Sequence, residues 1–513
     1  MIYLSFILHM HQPYYKNLVT GEAELPWVRL HGIKDYLDMA LILKDFPDMH
    51  QTFNVVPSLL EQLEEYASGK LTDKYLRLSE KRADELTSDE KYFIREHFFS
   101  ADLARMISTH PRYYELFLHK HSDYAFSNQD YLDLQVWFNL SWYDPTFRND
   151  FPDLHALVKK SRFFTEEDKR IVLDKQKDIL KEIIPTYKKF QEEGRLEISV
   201  SPFYHPILPL LFSSFSGRDA NSQTPLPKTI FSHPEDAIWH VQAACAYYKE
   251  KFGCAPRGMW PSEQSVSQDI LPILNKARLK WIVTDESILW KTLPKVKRDG
   301  RILYRPYAFW FNDEPLVLLF RDKYLSDLIG FEYQHWRTRD AVDNFMYHLL
   351  KINEYFGDDD CFVTIALDGE NCWEYYRNDG RDFLQLLYSR IAETTYVKTV
   401  TPSEYLKIKN PQHHLPVIGS GSWIHGDFNK WMGHRTKNKA WEYLTQARNS
   451  LTPEQLNDER IMKQIHVLEG SDWFWWYGED QKTFDELFRT HLKNLYALIG
   501  KNPPVDLNIS LEM

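Results

Sequence analysis

The sequence predicts an α/β protein built on a parallel sheet, either a β/α barrel or a doubly wound sheet. Three observations carry that prediction. Near-continuous apolar runs recur at residues 2–8, 196–200, 281–283, 316–320 and 362–367, the pattern of parallel strands buried on both faces. Helical stretches separate the runs. Several runs stop at acids or histidines set among tryptophans, prolines and glycines, and enzymes of these folds build their sites at the carboxyl ends of strands.

A chain of 513 residues is too long for one small core, so a large catalytic domain with an appended module is expected. The formal net charge of −11 argues against a nucleic-acid partner, which needs a clustered Lys/Arg surplus. Aromatic residues are abundant, with 16 Trp, 30 Tyr and 31 Phe, many beside polar residues; flat rings with polar tips suit sugar faces, although most belong to the core. Cys245, Cys254, Cys361 and Cys372 form no CxxC pair, so reduced thiols are expected. The opening MIYLSFILHMHQP has no basic leader or small-residue cleavage site, and its apolar run is too short to span a bilayer. A cytoplasmic protein without a membrane partner is therefore expected, its oligomeric state open.

The first run ends in HMHQP. His9 and His11 alternate onto one face of a strand, where they form either half of a metal site or a pair that grips hydroxyls; no HExxH or cysteine cluster supplies further ligands. Residues 59–194 change to long amphipathic stretches and are expected to be a helical insertion. Within them Thr165 and Asp168 have capping-box spacing, and Gly194 supplies a stop. GRLEISVSPFYHPILPLL follows, with Glu197 inside a strand and His205 in a proline-stiffened exit; a buried Glu197 needs a paired or catalytic role.

In GMWPSEQSVSQDILPIL, Glu263 falls in a strand-to-helix turn, with Ser265 and Gln268 spaced as a capping pair. It is either a carboxylate favoured by a helix N-terminus or a catalytic acid beside Trp260. In TIALDGENCWEYY, Asp368 and Glu370 directly follow a buried run. Asp-Gly alone reads as turn chemistry, but an ordinary turn does not need Glu, Asn and Trp crowded after it. After a strand-like YVKTVTP near Val397, residues 411–416 mark a module boundary, and the remainder is helical apart from a terminal tail or edge strand.

Two acids on separate strands suit glycoside cleavage. One protonated carboxyl serves the departing oxygen, and an ionised one attacks or stabilises an oxocarbenium-like centre; retention places the two about 5–5.5 Å apart. An apolar wall beside one acid would raise its pKa.

With HMHQP, GRLEISVSPFYHP, GMWPSE, ALDGENCWEYY and WIHGDFNKWMGH in this order, the sequence resembles glycoside hydrolase family 57 over most of its length, and most closely its amylopullulanase and α-amylase branch. The resemblance implies an incomplete seven-stranded β/α barrel over residues 1–405, followed by a helical domain over 406–513 that contributes to the cleft. It implies a retaining mechanism with Glu263 as nucleophile and Asp368 as general acid/base. His11 and Glu197 would line the subsite of cleavage; Trp260, Glu370 and Trp373 would shape it, and Asp427 is the acid of the fifth motif. His9, His205 and His425, within the same motifs, complete the expected substrate-binding set.

The expected activity is hydrolysis of α-1,4 glucosidic bonds in an α-glucan or maltooligosaccharide, with α-1,6 bonds as a further target and neither metal nor cofactor. A 4-α-glucanotransferase or branching enzyme would use the same acids. His9 and His11 keep a metal-dependent polysaccharide deacetylase as a rival, and a non-catalytic glucan-binding protein is a third reading. Trp473, Trp475 and Trp476 are expected mainly to pack the bundle onto the barrel, with at least one left to line the cleft.

Overall fold

The computed structural model describes residues 1–312, 314–370, 372–479 and 481–512. Its strands are β1 (Ile2–Met10), β2 (Gln51–Val55), β3 (Leu196–Val200), β4 (Gly258–Met259), β5 (Trp281–Asp285), β6 (Tyr307–Phe311), β7 (Glu314–Arg321), β8 (Cys361–Asp368), β9 (Val397–Thr399) and β10 (His413–His414). Seven of them, β1, β2, β3, β4, β5, β7 and β8, form a parallel ring, which settles the sequence alternatives in favour of the (β/α)7 barrel. β8 lies along β1 from Ile2↔Cys361 to His9↔Asp368, whereas β7 meets β8 only at Arg321↔Thr364. The remaining strands decorate the ring: β6 is antiparallel to β7 and carries β10, and β9 adds to β1.

Period-2 alternation divides β1, β5, β7 and β8 between two cores. Ile7, Val283, Val317, Leu319 and Ala366 pack with Trp260 and Trp281 in one cluster inside the ring. The alternate residues, among them Leu8, Ile198, Ile282, Leu318 and Ile365, join the larger core beneath the helices. Gly258 is required by the inner cluster, since a Cβ there would lie 1.9 Å from the Trp281 ring.

Between β2 and β3 the chain is helical, from Pro57–Ala67 to the 27-residue helix Glu166–Glu192. Thr165 and Asp168 form the expected capping box, and Gly194 follows with φ of 76°. Ser265 and Gln268 do not form a cap: the next helix starts later, at Leu271–Lys276, and Gln268 Oε1 instead accepts from Ile418 N at 3.1 Å. Residues 413 and 414, inside the expected module boundary, are tied to the sheet as β10. The C-terminal tail makes a 3-10 turn at Val505–Asn508 rather than an edge strand. No helix among the described residues is long and apolar enough to cross a membrane.

Candidate active site

β4 stops at Met259, and Trp260 N continues the ladder to Val200 O before Pro261 ends it. Glu263 then occupies the left-handed region, with φ 57° and ψ 26°, and Gln264 follows at φ 51°. Each such residue costs on the order of 1–3 kcal/mol and persists only where its surroundings impose it. Those surroundings are visible. Gln264 O accepts from Thr284 Oγ1 at 2.8 Å, and residues 421–423 lie across the turn, with Val266 paired to Gly421 and Trp423 N donating to Glu263 O at 3.2 Å. The Trp423 indole donates to Glu263 Oε2 at 2.7 Å.

Asp368 is the last residue of β8, in register with His9 at the end of β1. Gly369 N donates to His9 O at 2.6 Å, and a Cβ at Gly369 would sit 3.1 Å from that oxygen. The glycine of Asp-Gly therefore serves close approach to β1 as well as turning the chain. Glu370 folds back beneath this turn, where its Oε1 accepts from His11 N at 3.0 Å and from the Tyr36 hydroxyl at 3.2 Å. Asn371 lies outside the described residues.

Glu263, Asp368 and Glu370 all line one cavity of about 680 Å3 at the carboxyl end of the barrel, together with His9, His11 and His205. The histidines form a layered wall. His9 stacks on Trp260 at 4.8 Å between ring centres, His205 on His9 at 5.0 Å, and His11 on His205 at 4.0 Å. His9 Nδ1 meets Asn54 Oδ1 at 2.6 Å, and His11 Nε2 meets Asp472 Oδ1 at 2.8 Å. Burial drives His9 down to about 3 and His205 well below the ordinary histidine value, so both are neutral and offer one donor and one acceptor each.

Burial also dominates the acids. It raises Glu263 to about 8, helped by the negative charge of Asp368 and opposed by the Trp423 indole. Burial and then the charge of Asp368 push Glu370 well above its ordinary carboxylate value, opposed by the bonds from His11 N and Tyr36. The cavity thus holds acids that sense the charge of Asp368, and both Glu263 and Glu370 are displaced upward.

Six of the residues expected from the sequence, His9, His11, His205, Glu263, Asp368 and Glu370, are brought together here. Five others are not in the cavity wall. Glu197 sits inside the barrel at its opposite end, accepting from the Trp281 indole at 2.9 Å and from Ser403 N at 2.9 Å; the pairing its burial demanded is structural. Trp260 is fully buried behind His9. Trp373 packs inward, its indole donating to Gly369 O at 2.9 Å. Asp427 caps its own loop by accepting from Asn429 N at 2.9 Å and also accepts from Asn221 Nδ2 at 3.2 Å, while His425 points to solvent with φ of 57°.

The sequence reading missed Trp423 and Asp472, together with the aromatic lining from Trp27, Trp142 and Tyr375. Trp423 lies in the fifth motif, two residues before His425, and its proximity to that motif was the available signal. Asp472 stands in SDWFWW, whose tryptophans drew attention instead. Of these, Trp473 packs, donating to Val467 O at 2.7 Å, whereas Trp475 and Trp476 line the cavity. Among the described cavity residues, His11, His205 and Asp472 each bring one donor atom within 4.8 Å of the others, an arrangement able to hold a metal ion.

The sequence matches none of the curated proteins with which it was compared. Solved structures share its fold. A branching enzyme from Pyrococcus horikoshii superimposes with a TM-score of 0.60 at 17% identity, covering 98% of this chain and 93% of that one. An α-amylase from Thermotoga maritima gives 0.57 at 14% identity, with 99% and 98% covered. A 4-α-glucanotransferase from Thermococcus litoralis gives 0.55 at 15% identity, with 97% and 60% covered. The model of glycosyl hydrolase family 57 matches residues 5–419, through both acid-bearing turns and most of the barrel, and the chain belongs to that family.

Proposed function

We propose that the protein is a retaining α-glucan hydrolase of the α-amylase and amylopullulanase type, acting on α-1,4 and secondarily on α-1,6 glucosidic bonds. The observation that carries this reading is that Glu263 and Asp368, from separate strand ends, line one cavity and sense each other's charge. Asp368 protonates the glycosidic oxygen while Glu263 attacks the anomeric carbon, forming a glycosyl ester. Asp368 then takes a proton from water, whose oxygen displaces Glu263. Glu263 must be ionised to attack. Holding the proton on Asp368 removes the second cause of Glu263's elevation, and the Trp423 indole still stabilises the carboxylate. Trp423 occupies Oε2, so Oε1 is the attacking oxygen. His11, His205 and Asp472 offer hydrogen bonds to the sugar hydroxyls.

Transfer to a sugar acceptor is the second reading, favoured by one feature: Trp475, Trp476 and Trp142 give the cavity an aromatic lining on which an acceptor sugar can stack and displace water. Chromatography of the products from a single maltooligosaccharide separates the two, since longer chains mean transfer and shorter ones alone mean hydrolysis. Glu263→Gln and Asp368→Asn should each abolish turnover on maltooligosaccharides and pullulan. Near wild-type turnover in either variant would overturn the assignment, and release of acetate from an acetylated polysaccharide that is lost on chelation would favour the deacetylase reading.

A further inference from the structure

A cavity of about 1480 Å3 lies apart from the one that holds the paired acids. It lies against helix Pro234–Phe252 and helix Glu459–Leu468, and its wall includes Trp239, Asp236, Arg448 and His466. Behind that wall His240, His466 and Glu469 converge, each no more than 2% exposed. One ligand atom from each lies within 4.8 Å of the others.

The hydrogen-bond chemistry of this cluster is unusual. His240 Nδ1 faces the carbonyl oxygen of Phe203, so that nitrogen carries a hydrogen. The Nε2 lone pair of a neutral His240 then points at Glu469 Oε2, 2.8 Å away, and two acceptors face each other. His466 Nδ1 approaches the same oxygen at 3.0 Å. Glu469 Oε1 is buried and accepts from no ordinary donor among the described residues, with the Asp236 carboxyl facing Glu469. A positive centre between His240 Nε2 and Glu469 resolves the conflict, and it is either a proton or a metal ion. A backbone carbonyl that fixes the far nitrogen of a histidine is how metal-ligating histidines are commonly oriented.

We propose that His240 Nε2, His466 Nδ1 and the Glu469 carboxylate bind a divalent transition ion of the zinc class, which enters from the large cavity past His466. Two imidazoles and one carboxylate suit zinc, leaving a fourth position for water from the cavity. Ligand atoms about 2.0–2.1 Å from a tetrahedral ion stand about 3.3 Å apart, so the present 2.8 and 3.0 Å spacings need to open by only a few tenths of an ångström.

The location gives the ion a purpose. Phe203 N donates to His240 O at 3.1 Å, and Ser471 N donates to His205 O at 2.9 Å. The cluster therefore ties together the two segments that deliver His205 and Asp472 to the acid-bearing cavity. The ion would brace both from behind without touching substrate.

The test uses untagged full-length protein, stripped with chelator and titrated with zinc alone. About one zinc per chain should bind and raise the thermal midpoint, and cobalt should give a visible d–d absorption of tetrahedral character. His466→Ala and Glu469→Gln should lose the stoichiometric ion, whereas His11→Asn and His233→Asn, which disable the other two sets of candidate ligands, should retain it. The cobalt spectrum of the unaltered protein keeps the test valid if a variant fails to fold. No zinc bound by the wild-type chain, or zinc lost in His11→Asn and kept in His466→Ala, would overturn the site. Neither outcome bears on the roles of Glu263 and Asp368.

Discussion

Replacing Glu263 by glutamine tests the electrostatics of the cavity without assuming any activity. Burial and the charge of Asp368 raise this carboxyl from 4.5 to about 8. Below pH 4.5 it is protonated in folded and unfolded chains alike, and its contribution to stability is fully present. As pH rises towards 8 the unfolded chain releases the proton while the folded chain keeps it, so stability falls; above pH 8 the loss is complete. A shift of this size corresponds to at most about 5 kcal/mol at 1.36 kcal/mol per unit, and relaxation with water entry brings the expectation to about 2 kcal/mol. Glutamine keeps an oxygen for the Trp423 indole but cannot ionise. Denaturant unfolding at pH 4.5, 6, 7 and 9 should show the variant gaining on the wild type steadily across that range. Parallel stability curves from pH 4.5 to 9 would refute the assigned elevation.

Trp423→Phe keeps the ring but removes the donor at 2.7 Å from Glu263 Oε2; with a charge-assisted bond worth about 1.5–3 kcal/mol, the acidic limb of kcat/KM should move up by about 1–2 pH units. An unmoved limb would mean that the indole does not stabilise the ionised form. Arg321→Met removes the Nη1 contact at 3.2 Å to Asp285, which is fully buried, and should cost about 3–5 kcal/mol in equilibrium unfolding. Asp472→Asn weakens the partner of His11 and should lower kcat/KM on maltooligosaccharides about 10-fold or more, while stability measured by unfolding changes by less than about 1 kcal/mol.

The barrel was legible where its strands are uniformly apolar. β1, β5, β7 and β8 show that pattern, because both faces pack against hydrocarbon over much of their length. β2 was not recognised, and the reason is visible in QTFNV: Thr52 and Asn54 occupy the face turned towards the ring interior, where Asn54 bonds His9, Ser199 and Ser201. β4, with two residues, is too short for any periodic signal. The acids were legible because each ends a buried run. Glu197 sits in the middle of a strand, and sequence alone does not distinguish an acid meeting substrate from one that receives the Trp281 indole and Ser403. Trp423 and Asp472 reach the cavity through long-range packing of later segments; the fifth motif marks the first, and no local pattern marks the second.

That dependence on later segments extends to the barrel itself. Ring closure between β7 and β8 rests on one residue pair, Arg321↔Thr364. Arg321 strengthens it by donating to Ala366 O at 2.7 Å on β8 and to Asp285 on β5, and its guanidinium lies 5.1 Å from the centre of the Trp423 ring. Trp423 in turn holds the Glu263 carboxyl and crosses Trp260 edge to face at 5.5 Å, and Trp260 supports the histidine stack. The single-pair join between β7 and β8, the strained turn bearing Glu263 and the histidine wall therefore meet through a single indole. Arg321→Met and Trp423→Phe consequently share partners, and their effects on Glu263 ionisation should be non-additive in a double-mutant cycle. Strict additivity would separate ring closure from the positioning of the acid, and would leave the strain at Glu263 to be held by Gln264 and residues 421–423 alone.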